Sequence, residues 1–126
     1  MDLSECPVKV TVDVIGGKWK PMILFFLKNG RKRFSQLQHD ISRVTQKTLT
    51  QQLRQLERDG VVAREVFASV PPRVEYSLTT YGETLRPILE QMCKWGNRHR
   101  RREIPTPGYT VPQLSPVRRR RAEDAG

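Results

Sequence analysis

The apolar period of this chain changes at Gly60. Before it, in TQKTLTQQLRQLERDG, Leu49, Leu53 and Leu56 recur at i, i+4 and i+7, the stripe of an amphipathic helix. After it, VVAREVF and RVEYSLT read as two strands. In the second, Val74, Tyr76 and Leu78 alternate with Arg73, Glu75 and Ser77, as in a strand buried on one face only. Between the two runs, Pro71 and Pro72 carry no N–H and hold φ near about −65°, so the tip neither extends the ladder nor samples many conformations. A helix that runs directly into a stiff, basic hairpin restricts the chain to few small folds.

The segments upstream are helical. VKVTVDVI is bounded by Pro7 at its start and by Gly16 and Gly17 at its end. KWKPMILFFLKNG places Trp19, Ile23, Phe26 and Leu27 at helical spacing, with Pro21 tolerated in the first turn and Gly30 as the stop. RFSQLQHDI gives a short third helix with Ser35 as N-cap and Leu37 and Ile41 on its inner face. Thr45 caps the fourth helix and Gly60 ends it. The expected fold class is mainly α with a small β-hairpin.

The outer face of the fourth helix is unusual. Lys47, Gln51, Arg54 and Arg58 project opposite the leucine stripe, with Thr48 and Gln55 beside them. A face that only keeps a helix soluble mixes Glu with Lys in stabilising pairs. Gln and Arg instead make paired hydrogen bonds to adenine and guanine edges. Short helix, turn and such a helix is the helix-turn-helix order, and the hairpin that follows makes it a winged helix. On this reading Gln51 and Arg54 read bases, and Gln46, Lys47 and Thr50 near the helix start share those contacts. Arg73 at the wing meets backbone or minor groove, and Lys18, Lys20, Lys32 and Arg33 add phosphate contacts.

Charge agrees with a polyanionic partner. The 126 residues hold 23 Lys and Arg against 13 Asp and Glu, a net +10, which suits nucleic acid or an anionic membrane surface. No apolar run approaches the roughly 20 residues of a membrane span, and the N-terminus lacks a secretory pattern, so a cytoplasmic, nucleoid-associated protein without membrane contact is expected. Cys6 and Cys93 are too few for a disulfide scaffold, and with His39 and His99 they lack zinc-site spacing; no metal or cofactor is expected. Phosphate-loop, nucleophile-elbow and HExxH motifs are absent, so the chain does not read as an enzyme.

The strings CPV at 6–8, IGGKW at 15–19, RFSQLQHDI at 33–41, KTLTQQLRQLERDGVV and VPPRVEYSLTTYG at 70–82 together resemble the HxlR-type winged-helix transcription regulators of bacteria and archaea. The resemblance covers most of residues 6–100. It implies a homodimeric DNA-binding regulator with an added N-terminal helix and a long C-terminal helix, over a domain spanning residues 1–103. It also implies that a cysteine just before the first helix serves some members as an oxidant or electrophile sensor, and Cys6 occupies that position.

Two features bear on those implications independently. After Tyr81, Leu85, Ile88, Leu89, Met92 and Trp95 form a broad apolar stripe, which serves either as a dimer seam together with Val10 and Val14 of the first helix or as part of the protomer's own core. A dimer would present two reading helices to a palindromic operator. With Pro7 at N1, Cys6 falls at the N-cap, where the helix dipole favours thiolate and neighbouring Glu5 opposes it. The alternatives are a thiol sensor of oxidant, or a helix-start residue with a small-molecule effector bound elsewhere. Residues 104–126, rich in Pro and Arg, read as a disordered tail in which Arg118 to Arg121 either attract phosphates or solubilise the end. A basic module binding RNA or nucleoid DNA without sequence preference is the competing function, and an adaptor using the winged fold without nucleic acid is a third.

Overall fold

The computed structural model of the chain describes residue 2 and residues 5–101; the tail from 104 onward lies outside the described residues. The elements run α1 (Pro7–Ile15), α2 (Lys20–Leu27), β1 (Lys32–Arg33), α3 (Phe34–Ile41), α4 (Gln46–Arg58), β2 (Val62–Phe67), β3 (Arg73–Leu78), a 3-10 turn (Gly82–Leu85) and α5 (Arg86–Arg101). The chain divides at Leu89 into a first compact unit and a second that starts at Glu90 within α5. Among the described residues no helix is long and apolar enough to cross a membrane.

The first unit is built around α4. Thr45 takes an extended backbone and its hydroxyl accepts from the Thr48 N–H at 3.1 Å, satisfying one orphan donor of the first turn. Leu49, Leu53 and Leu56 are 0%, 1% and 0% exposed. Burial on that scale contributes about 1.5–3 kcal/mol for each side chain. They pack with Ile23, Leu24 and Leu27 of α2 and with Leu37 and Ile41 of α3. Gly60 ends the helix at φ 79°, a conformation costly for any residue with a Cβ.

The α3 to α4 connection is tight. Arg43 N–H donates to the Ile41 carbonyl at 2.8 Å across Ser42, whose φ is 67°. This is a γ-turn of the rarer, strained hand. Gln38 Nε2 donates to the Val44 carbonyl at 3.4 Å and braces the same turn.

Three strands pair antiparallel in the order β1-β3-β2, one more than the expected hairpin. Lys32 and Arg33 pair with Tyr76 and Glu75 as β1, and α3 starts immediately afterward. Arg33 therefore takes the N-cap position expected for Ser35, and its N–H donates to Gln36 Oε1 at 2.8 Å. In the hairpin Val62, Arg64 and Val66 oppose Leu78, Tyr76 and Val74 and share their face. On the other face Glu65 lies directly across from Glu75, and Phe67 across from Arg73.

Like charges facing each other across a ladder destabilise it. Two arginines offset that here. Arg31 Nη1 lies 3.2 Å from Glu65 Oε1 and 3.7 Å from Glu75 Oε1, while Arg73 Nε donates to Glu75 Oε2 at 3.0 Å. Both guanidiniums also sit over the Phe67 ring, at 5.7 Å and 4.5 Å from its centroid.

Thr79 joins the end of α4 to the start of the next element. Its N–H donates to the Val61 carbonyl at 3.1 Å, and its hydroxyl donates to the Gly60 carbonyl at 2.6 Å while accepting from the Gly82 N–H at 2.8 Å. Gly82 is required there because a Cβ would overlap the Val61 carbonyl oxygen. At the start of α5, Arg86 Nη2 donates to the Lys28 carbonyl at 2.7 Å and its Nε to Glu83 Oε2 at 2.8 Å. The hydrogen bond from Arg86 holds the exposed Glu83 carboxyl below the usual carboxylate range.

Candidate nucleic-acid interface

The leucine stripe fixes which side of α4 faces water. Thr45, Gln46, Lys47, Thr50, Gln51 and Arg54 line one open depression on that side. The Thr50 hydroxyl donates to the Gln46 carbonyl at 2.8 Å. Among the described residues, the side chains of Gln46, Lys47, Gln51 and Arg54 make no hydrogen bond or ion pair. Four long polar side chains without internal partners stand exposed on the face opposite the leucine stripe. All five α4 residues expected to contact bases are thus brought together.

The expected phosphate contacts are not equivalent. Lys18 is exposed, with its ammonium 4.9 Å from the centre of the Trp19 ring. Arg33 is exposed. Lys32 is half-buried and bonded to Asp40 at 2.6 Å, so its charge is already matched. Lys20, the first residue of α2, is only 9% exposed, a correction to its expected place among the surface phosphate contacts. Arg73 is the first residue of β3 instead of part of a free tip, and its guanidinium is held by Glu75 and Phe67. The arginine anticipated as the wing's phosphate contact is largely spoken for.

Arg64 escaped the sequence reading. It is exposed, and register places it on the helix-facing side of β2, opposite Tyr76. The signal was present in VVAREVF, where Val62, Arg64 and Val66 alternate with Ala63 and Glu65, but a cation on the apolar side of a strand is easily taken for an edge residue.

The proposed seam residues also separate. Val10, Val14, Leu85 and Ile88 border one apolar cleft of about 130 Å³ with Val61 and Tyr81. Val10 and Ile88 are 53% and 40% exposed, whereas Val14 and Leu85 are partly buried against the core. Leu89 is 3% exposed and belongs to the protomer's own core, a correction to its place in the seam: one side of the broad stripe turns inward there. Further along α5, Met92 and Trp95 are 46% and 60% exposed, and Trp95 stacks on His99 at 4.9 Å. Cys6 is half-buried at the N-cap of α1 without a side-chain cap hydrogen bond, and Cys93 is exposed; neither is in a disulfide.

A helix-turn-helix with a three-stranded wing and an open amide and cation face is now in place, and residues 14–104 match the sequence profile described as HxlR-like helix-turn-helix. The chain belongs to the HxlR-like helix-turn-helix family. This HxlR-type transcriptional regulator is 50% identical over 101 residues to YdeP of Bacillus subtilis, an HTH-type transcriptional regulator, with 80% of this chain and 79% of YdeP covered. Its fold matches the redox regulator HypR in its reduced form with a TM-score of 0.73 and 52% identity, over 75% of this chain and 94% of HypR. It matches the reduced form of the transcriptional regulator YodB from B. subtilis with a TM-score of 0.66 and 31% identity, over 74% and 93% of the two chains. HypR is also known in an oxidized form and YodB after diamide treatment.

Proposed function

We propose that this HxlR-type regulator works as a homodimer that reads a palindromic DNA operator with α4 and responds to thiol oxidation through Cys6. The observation that carries the DNA reading is the α4 outer face, where Gln46, Lys47, Gln51 and Arg54 have no partner among the described residues. Gln51 and Arg54 act on base edges; Gln46, Lys47 and Thr50 orient the helix at its start; Lys18 and Arg33 meet phosphates. A second copy covers Val10 of α1 and Ile88, Met92 and Trp95 of α5, which are exposed on one protomer. Two-fold pairing sets two reading helices about 34–36 Å apart, one turn of B-DNA.

Titration of the protein against genomic fragments and random duplex at fixed salt tests this reading. A bidentate base contact is worth about 1–3 kcal/mol of discrimination, so Gln51→Ala and Arg54→Ala each lower the preference for a selected site by that amount at single base pairs. Equal affinity for all sequences, in the wild type and both variants, would favour a module without sequence preference.

The redox reading rests on Cys6 at the α1 N-cap, a half-buried thiol with no cap hydrogen bond, and on the likeness to HypR and YodB. Two thiols, Cys6 and either Cys93 of a second copy or a small cellular thiol, lose two electrons and two protons to diamide, which is reduced to the hydrazine as the S–S bond forms. Operator affinity of the wild type then changes with diamide, while Cys6→Ser is unresponsive. Equal affinity in all four conditions would return the effector to a small molecule.

A further inference from the structure

We infer that Arg64, together with Arg54, seats a backbone phosphate of the DNA strand flanking the groove read by α4, and that Arg64, not Arg73, is the hairpin's phosphate contact. This rests on the DNA-binding reading above and adds a site to it. Along β2 the helix-facing side runs Val62, Arg64, Val66, and exposure rises from 3% at Val62 to 55% at Val66. Arg64 stands where that side leaves the core and borders α4. Thr50, Arg54, Glu57, Arg64 and Tyr76 line a cleft of about 430 Å³ there. Thr50 and Arg54 also line the depression on the reading face, so the two surfaces are continuous.

The chemistry of the cleft suits a phosphodiester. Arg54 and Arg64 make no hydrogen bond or ion pair among the described residues, so Arg64 keeps its forked donors for an oxyanion and Arg54 retains N–H groups beyond the two it turns to a base edge. Arg54 thereby sits between base edge and backbone. Glu57 is the one carboxylate lining the cleft, leaving two cations against one anion. The opposite face of the hairpin is matched instead: Arg31 and Arg73 are engaged by Glu65 and Glu75. A phosphate approaching that side meets charge already neutralised. Glu57 opposes any phosphate bound beside it and limits affinity for DNA of arbitrary sequence.

The test uses the full chain and a fluorescein-labelled random-sequence duplex, titrated at several KCl concentrations. Each phosphate contact adds about 0.9 to the slope of log K against log salt. Arg64→Ala flattens the slope by about one contact, Arg64→Lys restores it, and Arg73→Ala leaves it at the wild-type value. Glu57→Gln tightens binding several-fold. An unchanged slope for Arg64→Ala, or a loss at Arg73→Ala instead, overturns the assignment while the α4 reading stands. Should Arg64→Ala fail to fold, unchanged affinity for Glu57→Gln overturns it. Absence of duplex binding by the wild type would remove both readings together.

Discussion

Ser42 holds the turn between α3 and α4 at a φ of 67°, where a side chain is normally disfavoured. Such positions cost about 1–3 kcal/mol and persist only when the surroundings fix them. Here the fixing comes from the hydrogen bonds on either side, Ser42 N–H to the Gln38 carbonyl and Arg43 N–H to the Ile41 carbonyl. Ser42→Gly is therefore expected to leave stability unchanged or slightly raised, while a β-branched Ser42→Val lowers it by at least about 1 kcal/mol; urea unfolding of the two variants checks the difference. Gly82 is the opposite case, a residue chosen for space. Gly82→Ala forces the Val61 carbonyl to move, and with Val61 itself 1% exposed the overpacking costs about 1–3 kcal/mol in the same assay.

At the scale of elements, the hairpin's outer face makes a prediction that its inner face does not. Glu75 is shared by Arg31 and Arg73, so Glu75→Ala leaves Arg73 without its carboxylate and Arg31 with Glu65 alone. The pairs are partly exposed, so the stability cost is small, below about 1 kcal/mol. The freed Arg73 is expected to steepen the salt dependence of random-duplex binding by about one contact, read by the same KCl titration. Legibility also varied by element. Helix α4 could be read from end to end, because Thr45, the leucine stripe and Gly60 are each local signals that agree. Strand β1 could not, since two residues carry no period and pair only because β3 lies beside them. The cap of α3 failed with it: once Arg33 is a strand residue, the helix begins before Ser35. The stripe of α5 was correct in composition yet silent on direction, as Leu89 and Ile88 differ by one position and only packing decides that the first turns inward. On the site, the side chains of α4 follow from helical geometry, whereas Arg64 becomes visible only when the hairpin register places it opposite Tyr76.

At the scale of the whole molecule, α1 and α5 leave apolar surface that a second copy would cover, with Val8, Val10 and Val12 at 69%, 53% and 53% exposed and Trp95 at 60%. Ile88→Asp is expected to shift the protein toward monomer in sedimentation without unfolding it, because Ile88 is 40% exposed. Losing the second reading helix then weakens binding to a palindromic site by at least tenfold, on the order expected when two linked contacts become one. Binding that is unchanged in a monomeric variant would break the link between pairing and recognition. The bonds of Thr79 give that link a material form. One hydroxyl clasps the Gly60 carbonyl at the end of α4 and the first amide of the turn that leads into α5, so the helix proposed to touch DNA and the helix proposed to meet a partner share a rivet. Thr79→Val would keep the shape of the rivet's shank and remove its head; amide exchange at Gly82 would quicken, and a chain that still paired and still bound DNA would do each without notice of the other.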